Sequence, residues 1–179
     1  WTDGFCRMVC QDETYAAVKI GDDADYRKNS THYQKYGQVS NSAGLIILYK
    51  TARFELLESG VQAYTSTESQ ERWFQWVKLR DKKTDEVVFM TNTHWSVDLN
   101  QNGTADTEAG DEHRTKQANE LLAFWQDTVG ENLLFATGDY NCDSSSKWLT
   151  ALGSGNYKEA DAAIARAASL ERHIEHVFV

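Results

Sequence analysis

Runs of apolar residues, separated by polar turns, divide the chain into predicted strands. Residues 44–49 form a continuous apolar run, the pattern of a strand covered on both faces, and residues 54–58 are predicted to pair with it. Residues 73–79 and 86–93 flank a charged turn and predict a hairpin. Residues 133–137 and 173–179 predict two further strands, and residues 7–10 predict a buried strand before a short helix at 11–18.

Helical periodicity is clearest in the segment after residue 110. Ala118, Leu121, Leu122 and Trp125 follow the spacing i, i+3, i+4 and i+7, which places them on one face of an amphipathic helix. A further helix is predicted at 146–152, and residues 160–168 form either a short helix or a loop. Residues 21–42 and 96–110 are polar surface segments. These elements predict an α/β fold, a two-sheet β-sandwich flanked by helices, as one domain over residues 1–179.

Charge and composition limit the partners of the chain. The formal net charge is −9 and Lys and Arg are scattered, so nonspecific nucleic-acid binding is not indicated, although a metal could still bring a phosphate to an acidic protein. No apolar run approaches the ~18 residues of a membrane span. Sequons beginning at Asn29 and Asn102 favour a secreted, extracellular glycoprotein. The cysteines, at positions 6, 10 and 142, allow one disulfide with a free thiol, or three free thiols.

The most informative motif is Gly138-Asp139-Tyr140-Asn141, which directly follows an apolar strand. Asp139 and Asn141 are two residues apart, so in an extended strand tip both side chains point the same way. A carboxylate and a carboxamide in that arrangement could hold a metal-bound water beside a phosphate. The alternative is an ordinary turn, because Asp and Asn favour turns for backbone reasons.

Three other motifs accompany this turn in a fixed order along the chain. Asn92-Thr93-His94 ends a strand, Arg114-x-x-Gln117 opens a helix, and Ile174-Glu175-His176-Val177-Phe178 lies near the C-terminus. The set resembles the endonuclease/exonuclease/phosphatase superfamily, which has the deoxyribonuclease I-like fold and includes nucleases, neutral sphingomyelinases and inositol-phosphate phosphatases. The resemblance is strongest over residues 43–179. It implies metal-dependent hydrolysis of a phosphomonoester or a phosphodiester.

The resemblance also implies roles for individual residues. Asp139 would activate water and bind Mg²⁺ or Mn²⁺, together with Asp12 or Glu13 from the segment that corresponds to the metal-binding acid of the family. Asn141 would position the phosphate or the metal shell. His94 would donate a hydrogen bond to a phosphate oxygen. The alternative for His94 is a histidine that caps a strand end.

The remaining implied site residues are less closely matched to the family pattern. Asn92 and Arg114 are predicted to bind substrate, with Gln117 supporting the rim of the site, or else Arg114 and Gln117 form a solvated helix face. Glu175 and His176 are catalytic candidates, but Glu175 stands where the family has Asp, and strand alternation allows only one of the two side chains to face the site.

An alternative function rests on two further observations. The opening strand and the closing Ser-Asp-His segment of the family have no match, so the domain is expected to be incomplete at both ends: a fragment of an active enzyme or a degenerate member. Asp98, Asn100, Asn102 and Asp106, with Gly103, match the start of an EF-hand-type Ca²⁺ loop, although Ala109 stands where the bidentate acid belongs. The alternative is therefore a catalytically degenerate, secreted, calcium-stabilised binding protein on the same fold.

Overall fold

The computed structural model describes residues 10, 14–40, 43–66, 70–97, 107–142, 152 and 175–178, with the backbone alone for 107–109 and 175–178. Seven strands and three α-helices are defined within these ranges, together with a 3₁₀ turn at Ile20–Asp22 and a π-helical turn at Trp125–Val129. In chain order, the elements are β1 (Tyr15–Lys19), α1 (Ala24–Asn29), α2 (Thr31–Tyr36), β2 (Ile46–Lys50), β3 (Phe54–Ala63), β4 (Trp73–Asp81), β5 (Val87–His94), α3 (Thr107–Phe124), β6 (Leu133–Asp139) and β7 (Glu175–Phe178).

The strands form two sheets. β1 and β2 pair antiparallel, and the second sheet has the order β3-β4-β5-β6-β7. All neighbours in the larger sheet are antiparallel except β5 and β6, which run parallel. A parallel pair needs a crossover, and α3 lies in the chain between β5 and β6. The carboxyl ends of these two strands therefore meet at one edge of the sheet.

The larger sheet is covered on both faces, as its alternating side chains require. On one face, Ile47 from β2 packs with Val77 and Leu79 from β4. On the other face, a cluster that includes Phe89, Leu134 and the α3 residue Leu121 forms the main core. Ala118, Leu121 and Trp125 are buried as the helical periodicity predicted, and Leu122 packs partly buried against the same cluster. The predicted two-sheet sandwich flanked by helices is confirmed.

Two predictions about the strands are wrong. Residues 15–18 belong to β1 rather than to a helix, because Ala17 and Val18 pair with Leu48 and Ile47 in a sheet that no local pattern reveals. Residues 54–58 begin β3, which pairs with β4 and not with the strand at 46–50. β1 depends on a partner about 30 residues further along the chain, whereas β3 pairs with the strand that follows it rather than the one before it. In both cases packing rather than local propensity decides the partner.

The segment predicted as a polar surface excursion contains two short helices. The Asp23 side chain caps α1 by accepting from the backbone N–H of Asp25 and Tyr26, and Ser30 caps α2 by accepting from Tyr33. Glu71, distant in sequence, accepts from Ser30 Oγ and Thr31 N, each at 2.6 Å. Burial opposes ionisation of Glu71, but the hydrogen bonds from Ser30, Thr31 and His32 outweigh it and lower its pKa. The fully buried Tyr26 anchors this helical pair in a core of its own.

Several sequence predictions lie outside the described residues. These are the strand before residue 10, the helix at 146–152 apart from the buried Leu152, and the segment 160–168. Asn29, the first residue of one sequon, ends α1 and is exposed, whereas Asn102 is outside the described part. Within the described ranges, no helix combines the length and the apolarity needed to cross a bilayer.

Candidate active site

Three strand ends bring the predicted catalytic residues into one row at the edge of the larger sheet. His94 is the Cα partner of Asp139 in the parallel pair of β5 and β6. Asp139 is in turn the Cα partner of Glu175, the first residue of β7, while His176 pairs with Gly138. Residues about 40 positions apart in the sequence thus become neighbours through strand register alone.

His94 and Asp139 lie side by side and reach solvent. The distance from His94 Nε2 to Asp139 Oδ2 is 3.7 Å, and the two side chains are 29% and 30% exposed. This separation exceeds a direct hydrogen bond, whose usual range ends near about 3.2 Å. It is short enough, however, for one oxygen atom to lie within about 3 Å of both side chains, as a water or a phosphoryl oxygen would. The pair is therefore placed to act on a single small group.

Gly138 explains how Asp139 reaches this position. Its φ of +153° is one that L side chains rarely adopt, and a Cβ there would lie 2.4 Å from the backbone oxygen of Thr93. The close approach of β6 to β5 at this point requires the absence of a side chain. The glycine of the Gly-Asp-Tyr-Asn motif is therefore needed for the fit between the two strands that carry Asp139 and His94.

Asn141 closes the turn after Asp139 and is tied to the neighbouring strand. Its φ is +50°, in the left-handed region that Asn tolerates better than most residues. Its backbone N–H donates to Asp139 Oδ1 at 3.0 Å, and its Nδ2 donates to the backbone oxygen of Trp95 at 2.8 Å. Trp95 N–H donates to the backbone oxygen of Asp139 at 2.9 Å. The turn is thus held by both backbone polar groups of Trp95, the residue that follows His94.

Arg114 and Gln117 support the same segment from α3. Ser96 N–H donates to Gln117 Oε1 at 3.0 Å, and Gln117 Nε2 donates to Ser96 Oγ at 2.9 Å and to the backbone oxygen of Ser66 at 2.8 Å. Arg114 donates to the backbone oxygen of Ser96 at 3.3 Å and to Asp111 at 3.0 Å. Both residues are buried, Arg114 at 2% exposure and Gln117 at 0%, so a solvated helix face is excluded. They lie within α3 rather than at its start.

A buried chain of hydrogen bonds, which the sequence did not indicate, fixes the indole of Trp95. Trp95 Nε1 donates to the Tyr64 hydroxyl at 3.0 Å, and that hydroxyl lies 2.8 Å from Thr93 Oγ1. Thr93 donates to the backbone oxygen of Trp73 at 3.4 Å. Burial is the main cause of a raised pKa at Tyr64, so its hydroxyl stays protonated at neutral pH. In the sequence, only the place of Trp95 directly after His94 indicates that it could belong to the site, and nothing indicates this for Tyr64.

The other predicted site residues take different places. Asn92 Nδ2 donates to the backbone oxygen of Ile46 at 3.0 Å and so links β5 to β2. Asp12, Glu13 and the predicted Ca²⁺ loop (Asp98, Asn100, Asn102, Asp106) lie outside the described residues, and only the backbone of Glu175 and His176 is described. In the part of the chain that the structure describes, no three His, Cys, Asp or Glu residues cluster as metal ligands.

The chain is similar to known proteins at the level of structure. No protein-family model and no curated protein matches the chain. The catalytic domain of human Nocturnin, solved with a bound sulfate anion, is similar over 98% of this chain and 64% of its own, with a TM-score of 0.68 and 16% sequence identity. This chain therefore spans somewhat less than two thirds of the Nocturnin domain.

Two bacterial structures show the same likeness. The alignment with a mannosyl-6-phosphatase of Bacteroides thetaiotaomicron covers 99% of this chain and 67% of the phosphatase chain, with a TM-score of 0.66 and 15% identity. The alignment with an endonuclease/exonuclease/phosphatase protein of Bacteroides vulgatus covers 99% of this chain and 77% of the bacterial chain, with a TM-score of 0.64 and 17% identity. These likenesses show the fold: the chain has the deoxyribonuclease I-like fold that the sequence resemblance implied.

Proposed function

We propose that the protein is a metal-dependent phosphoesterase that hydrolyses a phosphomonoester or a phosphodiester. The observation that carries the proposal is the His94–Asp139 pair, 3.7 Å apart and partly exposed at the end of two parallel strands. An imidazole and a carboxylate at this separation combine a donor for a phosphoryl oxygen with an acceptor for a proton of water. The fold supports the proposal, because similar structures include a phosphatase and a domain that holds a sulfate, an anion of similar shape and charge to phosphate.

Each residue at the strand ends has a distinct part in the proposed reaction. His94 donates a hydrogen bond to a phosphoryl oxygen and so stabilises the charge that develops there. Asp139 Oδ2 orients the attacking water or accepts its proton, while Asp139 Oδ1 is engaged by Asn141 N–H. Asn141 holds the Asp139 carboxylate through its backbone N–H and the Trp95 backbone through its carboxamide.

Among the described side chains at this edge, the Asp139 carboxylate is the group that could bind a hard divalent cation. A carboxylate oxygen is the ligand that Mg²⁺ and Mn²⁺ accept, and Asp12 or Glu13 is the further acid that the family resemblance predicts. Such a metal, when bound, neutralises phosphate charge and lowers the pKa of water. Predicted roles of Asn92 and Arg114 in binding substrate are part of the same proposal, although the described contacts of both residues are to protein backbone and to Asp111.

The proposal is tested by hydrolysis of two chromogenic esters, p-nitrophenyl phosphate and bis(p-nitrophenyl) phosphate, with Mg²⁺ and with EDTA. Asp139→Asn and His94→Gln are expected to lower Mg²⁺-dependent turnover by about 100-fold or more, since each removes a group that acts on the reacting atoms. Asp127→Asn, an exposed acid in the π-helical turn, is the matched control and should turn over like the wild type. Unchanged turnover in Asp139→Asn would refute the assignment, and the preferred ester separates monoesterase from diesterase.

A further inference from the structure

Tyr64, Thr93 and Trp95 form a chain of hydrogen bonds with only one consistent direction. The Trp95 indole can only donate, so the Tyr64 hydroxyl accepts from it and has its own proton left to donate. Thr93 donates to the backbone oxygen of Trp73, so Thr93 Oγ1 is the acceptor for Tyr64. Each group in this chain thus fixes the orientation of the next, and successive bonds strengthen one another in a buried environment.

The chain ends at the residue that holds the proposed catalytic turn. Trp95 is fully buried, and its ring packs edge-on against Tyr140 with centroids 4.8 Å apart. Its backbone N–H and C=O bind the backbone of Asp139 and the side chain of Asn141. Tyr140 lies between Asp139 and Asn141 in the chain, so a displaced indole would push on the middle of this turn through the ring of Tyr140.

We propose that the Tyr64 hydroxyl is a positioning group for the proposed active site, acting through the Trp95 indole on the Asp139–Asn141 turn. The inference rests on the proposed function, which supplies the reaction that is to be positioned. Tyr64 touches none of the reacting groups. It directly follows β3, an outer strand of the larger sheet, and its side chain belongs to the same core cluster as Trp95 and Tyr140.

The variant Tyr64→Phe removes one buried oxygen, and the chain offers a matched control. Tyr26 is also fully buried, its hydroxyl accepts a single hydrogen bond from Ser40 N–H at 3.4 Å, and it belongs to a different core cluster. Tyr64→Phe is expected to lower kcat for bis(p-nitrophenyl) phosphate or p-nitrophenyl phosphate by about 10- to 100-fold with little change in KM, because a misplacement of about 1 Å can cost about 100-fold. Tyr26→Phe should leave both constants unchanged after correction for the folded fraction.

A second readout separates positioning from mere stabilisation. In ¹⁵N-labelled protein, Tyr64→Phe should shift the Trp95 indole N–H resonance and also the Asn141 side-chain amide resonances, whereas Tyr26→Phe should shift neither. If the indole resonance moves while the Asn141 amide stays, or if kcat is unchanged, the hydroxyl only stabilises the fold and the inference is overturned.

The two proposals can fail separately. If the wild type hydrolyses neither ester, the proposed function fails, and the Asn141 resonances alone then decide whether Tyr64 positions the turn. If Tyr64→Phe does not fold, Thr93→Val takes its place, because it removes the acceptor of the Tyr64 proton and leaves the ring of Tyr64 in the core. Thr93→Val should lower kcat and shift the Asn141 resonances as Tyr64→Phe does. If kcat and the Asn141 resonances both stay unchanged, the inference is overturned.

Discussion

Replacing Gly138 with alanine tests whether the approach of β6 to β5 sets the position of Asp139. The added Cβ would lie 2.4 Å from Thr93 O, 2.8 Å from Thr93 Cγ2 and 2.9 Å from Thr93 N. Two of these three atoms belong to the backbone of the central strand β5, which cannot move away without breaking its own pairing. The clash must therefore be relieved by displacing β6 at the residue just before Asp139.

The cost can be estimated from two contributions. Overpacking in a well-packed interior costs about 1–3 kcal/mol. An alanine held at a φ of +153° adds backbone strain, of order 1–3 kcal/mol for such a conformation. Together they predict a loss of about 2–6 kcal/mol in the free energy of unfolding. At about 2–4 °C per kcal/mol for a domain of this size, Tm should fall by roughly 4–24 °C.

Urea unfolding measures this loss, and Gly37→Ala is the control. Gly37 has a φ of +67° at the end of α2, and a Cβ there meets nothing within 4 Å, so its cost should be the conformational part alone, about 1–2 kcal/mol. Mg²⁺-dependent turnover by folded Gly138→Ala should also fall, whereas turnover by Gly37→Ala should not. If Gly138→Ala unfolds like Gly37→Ala and retains full turnover, the strand contact does not position Asp139.

Two further predictions address the surroundings of the site and the hairpin. Gln117→Leu leaves the buried Ser96 N–H without its acceptor, so we expect a loss of about 1–3 kcal/mol in the free energy of unfolding and slower turnover. Lys116→Ala, at an exposed position, is the control and should change neither quantity by much. Equal stability of the two variants would refute this prediction. Hydrogen bonds from Arg53 lower the pKa of Asp81 from 3.8 to about 2. The stabilising contribution of the Asp81 carboxylate is therefore complete above the ordinary pKa and is lost as the pH falls toward 2. The difference in free energy of unfolding in urea between wild type and Asp81→Asn should shrink from about pH 5 to about pH 2. A difference that stays constant over this range would refute the prediction.

The sequence predicted the elements whose pattern is contained within a single segment of the chain. The hairpin of β4 and β5 and the strand before Asp139 were recognisable from apolar runs beside turn residues, and the buried face of α3 was recognisable from its helical spacing. The strand character of β1 was not recognisable, because its partner β2 lies about 30 residues away, and the partner of β3 was not, because the strands before and after it were both available. The two N-terminal helices were missed because each is only six residues long and one is secured by Glu71, which lies 40 residues from Thr31.

The candidate site was predictable as a set of motifs but not as a network. Motif order indicated that His94 and Asp139 belong together, and strand register places them side by side. Burial of Arg114 and Gln117 could not be read from a polar i, i+3 pair, which looks the same on a solvated helix. Tyr64 meets Trp95, 31 residues away in the sequence, and a single tyrosine after a strand carries no signal of that contact.

His94 and Asp139 are proposed to act together on one phosphoryl group. A crystal structure of the protein with Mg²⁺ and inorganic phosphate would reveal this contact. We expect a phosphate oxygen within hydrogen-bond distance of His94 Nε2 and the metal bound to an oxygen of Asp139. Phosphate bound elsewhere, with the imidazole of His94 and the carboxylate of Asp139 untouched by either ion, would refute the joint role of the two residues.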